Sequence, residues 1–237
     1  MQFPEFENKV VLVTGATGNI GTALCKGFDR NSAIVYQTDI RETDRPHFIP
    51  GDISDQSFIA GLVERIMNEQ GHIDVLVNNA GICPRTPFFD IRLDEWQKVL
   101  SVNLTSMFLL SQACMNVMLA QQSGSIISLA SLAGQVGGIA VGAHYSATKA
   151  AIECMTKTLA RNGAQANVRA NAVAPGIIDS ALTDQATPGQ RENFTKTIPL
   201  GRLGRVDEVA GPVLFLASDL ASYITGFTVD INGGLRM

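Results

Sequence analysis

The chain has 237 residues, of which 46% are hydrophobic and 17% charged, and its formal net charge is −4. That length suits one α/β domain with a sizeable core, and the composition excludes a disordered chain. The acidic balance, with no cluster of Lys or Arg, argues against nucleic acid or an anionic membrane as the main partner. Residues 1–7 carry neither a basic nor an apolar leader pattern, so no signal peptide is expected. No apolar run is read as reaching membrane-spanning length; the longest candidate, residues 104–119, is broken by Ser106, Ser111, Gln112 and Asn116. Cys25, Cys83, Cys114 and Cys154 stand singly, which suggests neither a metal site nor a disulfide framework and points to a cytoplasmic protein with reduced thiols.

In chain order, residues 9–14 (KVVLVT) form a β-branched apolar run, the pattern of a buried parallel strand. Gly15-Ala16-Thr17-Gly18-Asn19-Ile20-Gly21 follows directly, then an apolar-periodic segment to about Phe28. Strand, glycine-rich turn and helix bring backbone N–H groups to a pyrophosphate. A second strand over residues 33–38 ends at Asp39, close to the distance of about 20 residues expected for a ribose-binding carboxylate. Such a carboxylate would repel a 2′-phosphate, which points to NAD over NADP; Arg41, able to pair with a phosphate, is the counter-argument. The short link to Asp52 holds Pro46 and Pro50 and leaves room for a third strand near residues 47–49 but no crossover helix. Asp52 either touches the adenine edge or caps a helix starting near Ser54.

Residues 73–77 (IDVLV) predict a fourth strand, closed by Asn78-Asn79-Ala80-Gly81. Small and amide residues there let a ligand approach backbone, and Asn side chains there also tie strands together. From Val99 to Thr148 there is no Asp, Glu, Lys or Arg, and a long helix near residues 93–122 falls mostly inside this run. A helix with so little charge is buried on several sides, so a homo-oligomer, dimer or tetramer, is expected. Asn103 within it needs hydrogen-bond partners, and a water relay would supply them. A fifth strand over residues 125–129 precedes Ser131, either an orienting hydroxyl for a substrate oxygen or a loop serine capping its own backbone. Then come a helix over residues 143–165, a strand over 168–174 closed by Pro175-Gly176, an irregular lid-like stretch over 177–203, a helix over 206–217 and a strand over 227–231.

Tyr145 and Lys149 lie one turn apart on one face of the 143–165 helix, as either an ordinary amphipathic face with a half-buried Tyr and a solvated Lys or an acid/base pair. A free phenol has a pKa of about 10, and a fixed ammonium nearby lowers it. Bringing it near 7 takes about 4 kcal/mol of differential stabilisation, after which the phenol exchanges a proton with a carbonyl or alcohol oxygen. His144 is either a substrate contact or a helix-start residue.

In order along the chain, Thr14-Gly15 to Gly21, Asp39, Asn78-Asn79-Ala80-Gly81, Asn103, Ser131, Tyr145 with Lys149, Pro175-Gly176, Ile224-Thr225-Gly226 and Asn232-Gly233-Gly234 resemble the short-chain dehydrogenase/reductase family over essentially the full length. The resemblance implies a single-domain, Rossmann-type, doubly wound α/β sheet of seven parallel strands with the active site at their C-terminal edge and a substrate lid near residues 179–203. It implies that Tyr145 is the general acid/base, that Lys149 lowers its pKa and binds the nicotinamide ribose, that Ser131 polarises the carbonyl and that Asn103 holds a relay water. Along the cofactor it places Gly15, Thr17, Gly18, Asn19, Ile20, Gly21, Asp39, Asp52, Ile53, Asn79, Ala80, Gly81, Tyr145, Lys149, Pro175, Gly176, Ile178 and Ser180, with no metal. Three departures stand out: the glycine is shifted to Gly18 with Asn19 beside it; the spacing from Ser131 to Tyr145 is one residue long, predicting a bulge over residues 134–142; and Ser180 replaces a usual Thr.

The function expected is NAD(H)-dependent interconversion of a secondary alcohol and a ketone on a small substrate. The alternatives are a 3-oxoacyl-carrier-protein-type reductase using NADPH and a non-catalytic dinucleotide-binding regulator. Carrier-protein substrates rank lower because an acidic carrier needs a basic docking patch, to which Arg161 and Arg169 are the available contributors.

Overall fold

The computed structural model describes residues 2–138, 140–180, 183 and 188–237. Strand β1 (Val10–Thr14) is buried along its whole length. Its alternate residues feed two cores: Val10 and Leu12 belong to one, Val11 and Val13 to the other. A strand covered on both faces reads as a continuous apolar run, which is why β1 shows no polar alternation. It pairs in parallel with β2 (Ile34–Asp39) on one side and β4 (Val75–Asn78) on the other. With β3 (Phe48–Pro50), β5 (Gly124–Leu129), β6 (Val168–Pro175) and β7 (Thr228–Ile231), the sheet order is β3-β2-β1-β4-β5-β6-β7. All neighbours are parallel. The connection reverses direction at β1, and a crevice opens where β1 and β4 diverge at their C-terminal ends.

One face of the sheet is covered by α2 (Gln56–Gln70), α4 (Ser106–Gln121) and α6 (Ala143–Gly163), through Leu62, Ile66, Leu110, Met118, Ile152 and Leu159. The other is covered by α1 (Asn19–Asp29) and a C-terminal helix, Val206–Ala217, through Leu24, Phe28, Val209, Val213 and Leu216. The expected α/β sheet of seven parallel strands is present.

Several local details differ from the sequence reading. Helix α2 is capped by Asp55, whose carboxylate accepts from the Ser57 N–H, and ends at Gly71 in the left-handed region. Asp52 does not cap it; its carboxylate accepts from the Ser54 N–H and hydroxyl, both at 2.8 Å. The long helix is three pieces end to end: α3 (Leu93–Leu100), a π-helical turn over Ser101–Thr105, and α4. Taken together, Leu93–Gln121 spans 29 residues and is apolar enough by composition to cross a membrane, contrary to the reading of no such run. Met107, Leu110, Cys114 and Met118 instead bury one side of it on the sheet, as in a core helix.

The bulge expected over residues 134–142 begins inside a helix, and residue 139 lies outside the described residues. Residues Leu132–Val136 form a short helix, α5, seated so closely on α6 that a Cβ on Gly134 would lie 2.6 Å from the Ala150 nitrogen. The stretch over residues 177–203 is not irregular throughout, since α7 occupies Pro188–Thr197. The last helix, Val206–Ala217, is therefore α8. Residues 181, 182 and 184–187 of the expected lid lie outside the described residues.

Candidate active site

The parallel strands deliver Thr14, Asn78, Leu129 and Pro175 to one edge, and most of the sequence-predicted residues gather there. The glycine turn is shaped by sterics at two positions. Gly15 has φ +63°, and a Cβ there would fall 2.7 Å from the Ala80 Cα; at Gly21 a Cβ would fall 2.1 Å from the Gly15 carbonyl oxygen. Gly18 is less demanding. It is the N-cap of α1 in an extended conformation, and a Cβ would meet only the Gly15 oxygen at 3.4 Å. The shifted glycine therefore leaves the turn intact, with Asn19 and Ile20 opening the helix. A glycine N-cap supplies no side chain to the first-turn amides, and this helix start has no side-chain cap. That arrangement, on a turn with no room for side chains, fits a pyrophosphate.

The turn is tied to β4 from both sides. The Thr14 hydroxyl accepts from the Asn79 and Ala80 N–H groups at 3.1 and 3.0 Å. The Asn79 amide donates to the Thr14 and Gly15 carbonyls at 2.8 and 3.0 Å. Asn79 thus shapes the cradle. At the end of β2, the buried Asp39 carboxylate accepts from the Thr17 hydroxyl at 2.6 Å and N–H at 3.1 Å, and from the Arg41 N–H at 3.2 Å. Burial raises its pKa, but the Thr17 and Arg41 hydrogen bonds outweigh that and hold it below the usual carboxylate value. Ile40 beside it is 70% exposed, an apolar surface that sequence reasoning passed over.

At the middle of the edge, Lys149 is buried and its Nζ donates to the Leu129 carbonyl at 2.5 Å. The same nitrogen lies 5.6 Å from the centre of the Tyr145 ring, and Gly81 faces it without a side chain. Ser131 and Tyr145 share a hydrogen bond. The Ser131 oxygen also accepts from the Ala133 N–H at 3.2 Å, so its cap role and its place beside the phenol coexist. Burial pushes the Tyr145 phenol above its ordinary value, against a smaller opposing effect of the Ser131 hydrogen bond, so the lowering expected from Lys149 does not dominate in this cofactor-free cleft. Burial also acts on Lys149, bringing its ammonium down to about 8.

Asn103 reaches the site through the π-helical turn. Its side chain accepts from the Ile82 N–H at 2.8 Å and donates to the Ile82 carbonyl at 2.9 Å, with Thr148 at 3.3 Å. The amide therefore holds the loop after β4 onto the helix. Ile178 is buried and bridges to Gly204, while its carbonyl accepts from Thr183 at 3.0 Å and Ser180 at 3.3 Å. The Ser180 hydroxyl thus turns back on its own loop, and Thr183 staples that loop, a role no spacing announced. Gly176 donates its N–H to Ile231, where β6 meets β7. Asp52 is exposed and Ile53 buried just beyond β3. His144 is not a substrate contact, because it is fully buried. Cys83, also missed, stands close enough to Tyr145 and Lys149 to feel their charge; burial raises its thiol to about 11. Among the described residues no cluster of His, Cys, Asp and Glu could hold a metal.

A family model described as enoyl-(acyl carrier protein) reductase matches residues 15–236. The chain is 38% identical to the 3-oxoacyl-(acyl-carrier-protein) reductase FabG of Thermotoga maritima, covering 97% of this chain and 98% of that protein. It is 37% identical to nodulation protein G of Rhizobium meliloti, covering 98% and 99%. Among solved structures, a short-chain dehydrogenase/reductase titled glucose/ribitol dehydrogenase from Brucella melitensis superposes with a TM-score of 0.92 at 34% identity over 100% of both chains. A 3-oxoacyl-(acyl-carrier protein) reductase from Brucella melitensis ATCC 23457 gives 0.91 at 34% identity over 99% of this chain and 94% of that one. Likeness of that extent, in a sheet whose strand ends bring Ser131, Tyr145 and Lys149 to one edge with a glycine turn, shows that the chain belongs to the short-chain dehydrogenase/reductase family of nicotinamide-dinucleotide oxidoreductases.

Proposed function

We propose that this enzyme uses NAD(H) to interconvert the ketone of a 3-oxoacyl thioester and the corresponding 3-hydroxyacyl group. The observation that carries the chemistry is the Ser131, Tyr145 and Lys149 edge. The relatives named 3-oxoacyl-(acyl-carrier-protein) reductases support the substrate class, and they reverse the ranking that placed small alcohols and sugars first. The basic-patch argument behind that ranking still bears on the carrier. Arg169 is no docking residue, since its guanidinium donates to the Leu216, Ala217 and Ser218 carbonyls at the end of α8. Arg161 lies 16 residues beyond Tyr145 on α6, about 24 Å away along the helix. A bound nicotinamide supplies or accepts the hydride. The raised phenol pKa keeps Tyr145 protonated at neutral pH, so it gives its proton to the carbonyl oxygen in the reductive direction. The Ser131 hydroxyl orients that oxygen and steadies the resulting phenolate, and the Lys149 ammonium balances its charge. A cytoplasmic setting suits the four free thiols.

The Asp39 carboxylate supports NAD(H), because an anion held at the adenosine end repels a 2′-phosphate. A second reading, an NADPH-using reductase, draws on Arg41, whose guanidinium approaches Asp39 at 3.5 Å and whose side chain is largely exposed. A homo-oligomer remains part of the proposal: Phe88, Phe89, Leu93 and Phe108 leave a large apolar area exposed around α3 and α4.

With acetoacetyl-coenzyme A as probe, NADH oxidation should be measurable, and Tyr145→Phe should lower kcat about 10³-fold. Turnover near wild type in that variant removes Tyr145 from the chemistry, and no turnover of any carbonyl or alcohol favours the regulator. The ratio of kcat/KM should favour NADH over NADPH at least about tenfold, as roughly 1.4 kcal/mol of repulsion requires, and Asp39→Ser should erode that ratio; a wild-type preference for NADPH instead establishes the second reading.

The buried ammonium makes a stability prediction for the cofactor-free protein. The folded pKa of Lys149 is about 8 against an ordinary 10.5. Between those values the unfolded chain binds more protons, so stability rises with pH through that window; below about 8 the full cost of the buried charge is present. Lys149→Met should therefore be more stable than wild type at pH 7 by an amount that shrinks toward pH 10, a change of about 3 kcal/mol. Paired urea melts read it, and a difference independent of pH contradicts it. Light scattering on the eluted protein should give at least a dimer mass, and a monomer at micromolar concentration ends the oligomer proposal.

A further inference from the structure

His144 is buried to 0% exposure directly beside Tyr145, yet nothing in the proton chemistry above uses it. Its Nδ1 lies 2.9 Å from the Tyr145 backbone nitrogen. A backbone N–H only donates, so Nδ1 carries the lone pair and the neutral ring's proton sits on Nε2. That N–H donates to the Glu95 carboxylate at 3.2 Å. The Thr86 hydroxyl donates to the same carboxylate oxygen at 2.5 Å. These hydrogen bonds, Thr86 first and His144 second, hold the Glu95 carboxyl below its usual range, so at neutral pH it is the anion that such donors need.

The three residues come from three places: Thr86 from the loop after β4, Glu95 from α3 and His144 from the first turn of α6. That turn has a weakness. Its N-cap is Gly142, which has no side chain to satisfy the first-turn amides. Tyr145 is the third helical residue, and the His144 imidazole takes the N–H that a capping side chain would otherwise take. The neighbours are shaped around this ring. A Cβ on Gly142 would lie 2.3 Å from the His144 Cε1, although the Gly142 φ of −65° is ordinary for any residue. The glycine is therefore required by the imidazole and not by the backbone. The Gly142 N–H in turn donates to the Pro84 carbonyl at 2.9 Å, joining the same loop a second time.

We propose that Thr86, Glu95 and His144 form a clamp that fixes the backbone at Tyr145 and so aims its phenol at the reacting oxygen. His144 and Glu95 are positioning residues; neither touches the substrate or the cofactor. The kinetic role rests on Tyr145 being the acid/base of the reaction proposed above. A side chain pivots about its own Cα, so a fraction of an ångström of freedom there is magnified at the hydroxyl, where proton transfer demands hydrogen-bond distance.

The test combines a reading of ring position with kinetics. The protein contains three tyrosines, so 3-fluorotyrosine incorporation gives few fluorine resonances, and Tyr145→Phe assigns the one that matters. His144→Ala should broaden or split the Tyr145 line. His144→Asn, whose Oδ1 can accept the same backbone N–H, should restore one narrow line. With acetoacetyl-coenzyme A and NADH, His144→Ala should lower kcat at least tenfold while KM for both substrates stays within threefold, and His144→Asn should recover most of the loss. If His144→Ala does not fold, Glu95→Ala, which keeps the ring but removes its anchor, should broaden the same line. An unchanged Tyr145 line in a folded His144→Ala or Glu95→Ala protein overturns the clamp, as does a loss of kcat that His144→Asn does not rescue. If wild type fails to turn over acetoacetyl-coenzyme A, the substrate reading falls and the fluorine line still decides the clamp.

Discussion

A single buried ammonium organises this enzyme. Lys149 sits at the C-terminal edge of the sheet with a strong hydrogen bond to the Leu129 carbonyl and no carboxylate paired with it among the described residues. Removing a cation from water costs several kcal/mol unless it is paired. The fold holds that cost in place by making the surroundings rigid: α6 packs on the sheet through Ile152 and Leu159, and Gly81 opposite brings backbone, not side chain, against the amine. The same desolvation raises the Tyr145 phenol. Both groups are thus kept in their hydrogen-rich forms at neutral pH, the ammonium because its pKa stays near 8 and the phenol because its own is high. A phenol that keeps its proton at neutral pH follows from burial, and under the proposed function the ammonium matters most once that proton has been given away.

The precision of that edge comes from side chains bonded to backbone. Thr14 and Asn79 lock the glycine turn to the end of β4. Asn103 holds Ile82 through both halves of its amide, and it can do so because the π-helical turn over Ser101–Thr105 rotates it out of the register of a continuous α-helix. Each such bond pins a loop at a strand end, and the Asn79 and Asn103 amides each use both of their N–H donors. The polar residues at the edge therefore divide into a frame bonded to backbone and the Ser131, Tyr145 and Lys149 set inside it.

Much of this was legible in the sequence because strand and helix leave periodic patterns. β1 announced itself as a run buried on both faces, and the helix over Val206–Ala217 was placed with the right bounds. Helical spacing puts Tyr145 and Lys149 together, and the ordered motifs along the rest of the chain singled the pair out from an ordinary amphipathic face. What was not legible has physical reasons. A π turn inside a run without charges leaves no mark, since every face of that helix looks alike. Asp55 and Asp52 are three residues apart and both suit a helix start, so only the observed hydrogen bonds choose between them. The net direction of the Tyr145 shift without cofactor was not legible because a sequence shows the proximity of a cation but not the depth of burial that competes with it. His144 was read correctly as a helix-start candidate, but its partners lie 49 and 58 positions back along the chain, at Glu95 and Thr86, where no local pattern could point to them.

The run from Val99 to Thr148 without an acidic or basic side chain bears on specificity as well as on packing. It supplies α4, β5, α5 and the start of α6, so these elements bring no charged side chain to Ser131 and Tyr145 ahead of Lys149. A cleft of that kind discriminates poorly by Coulomb attraction and better by shape and hydrogen bonding, where a buried polar group left unpaired penalises the wrong ligand strongly. Under the proposed function, charge selection of the cofactor falls to Asp39, away from the reacting edge, while the acyl substrate is read by shape and hydrogen bonding.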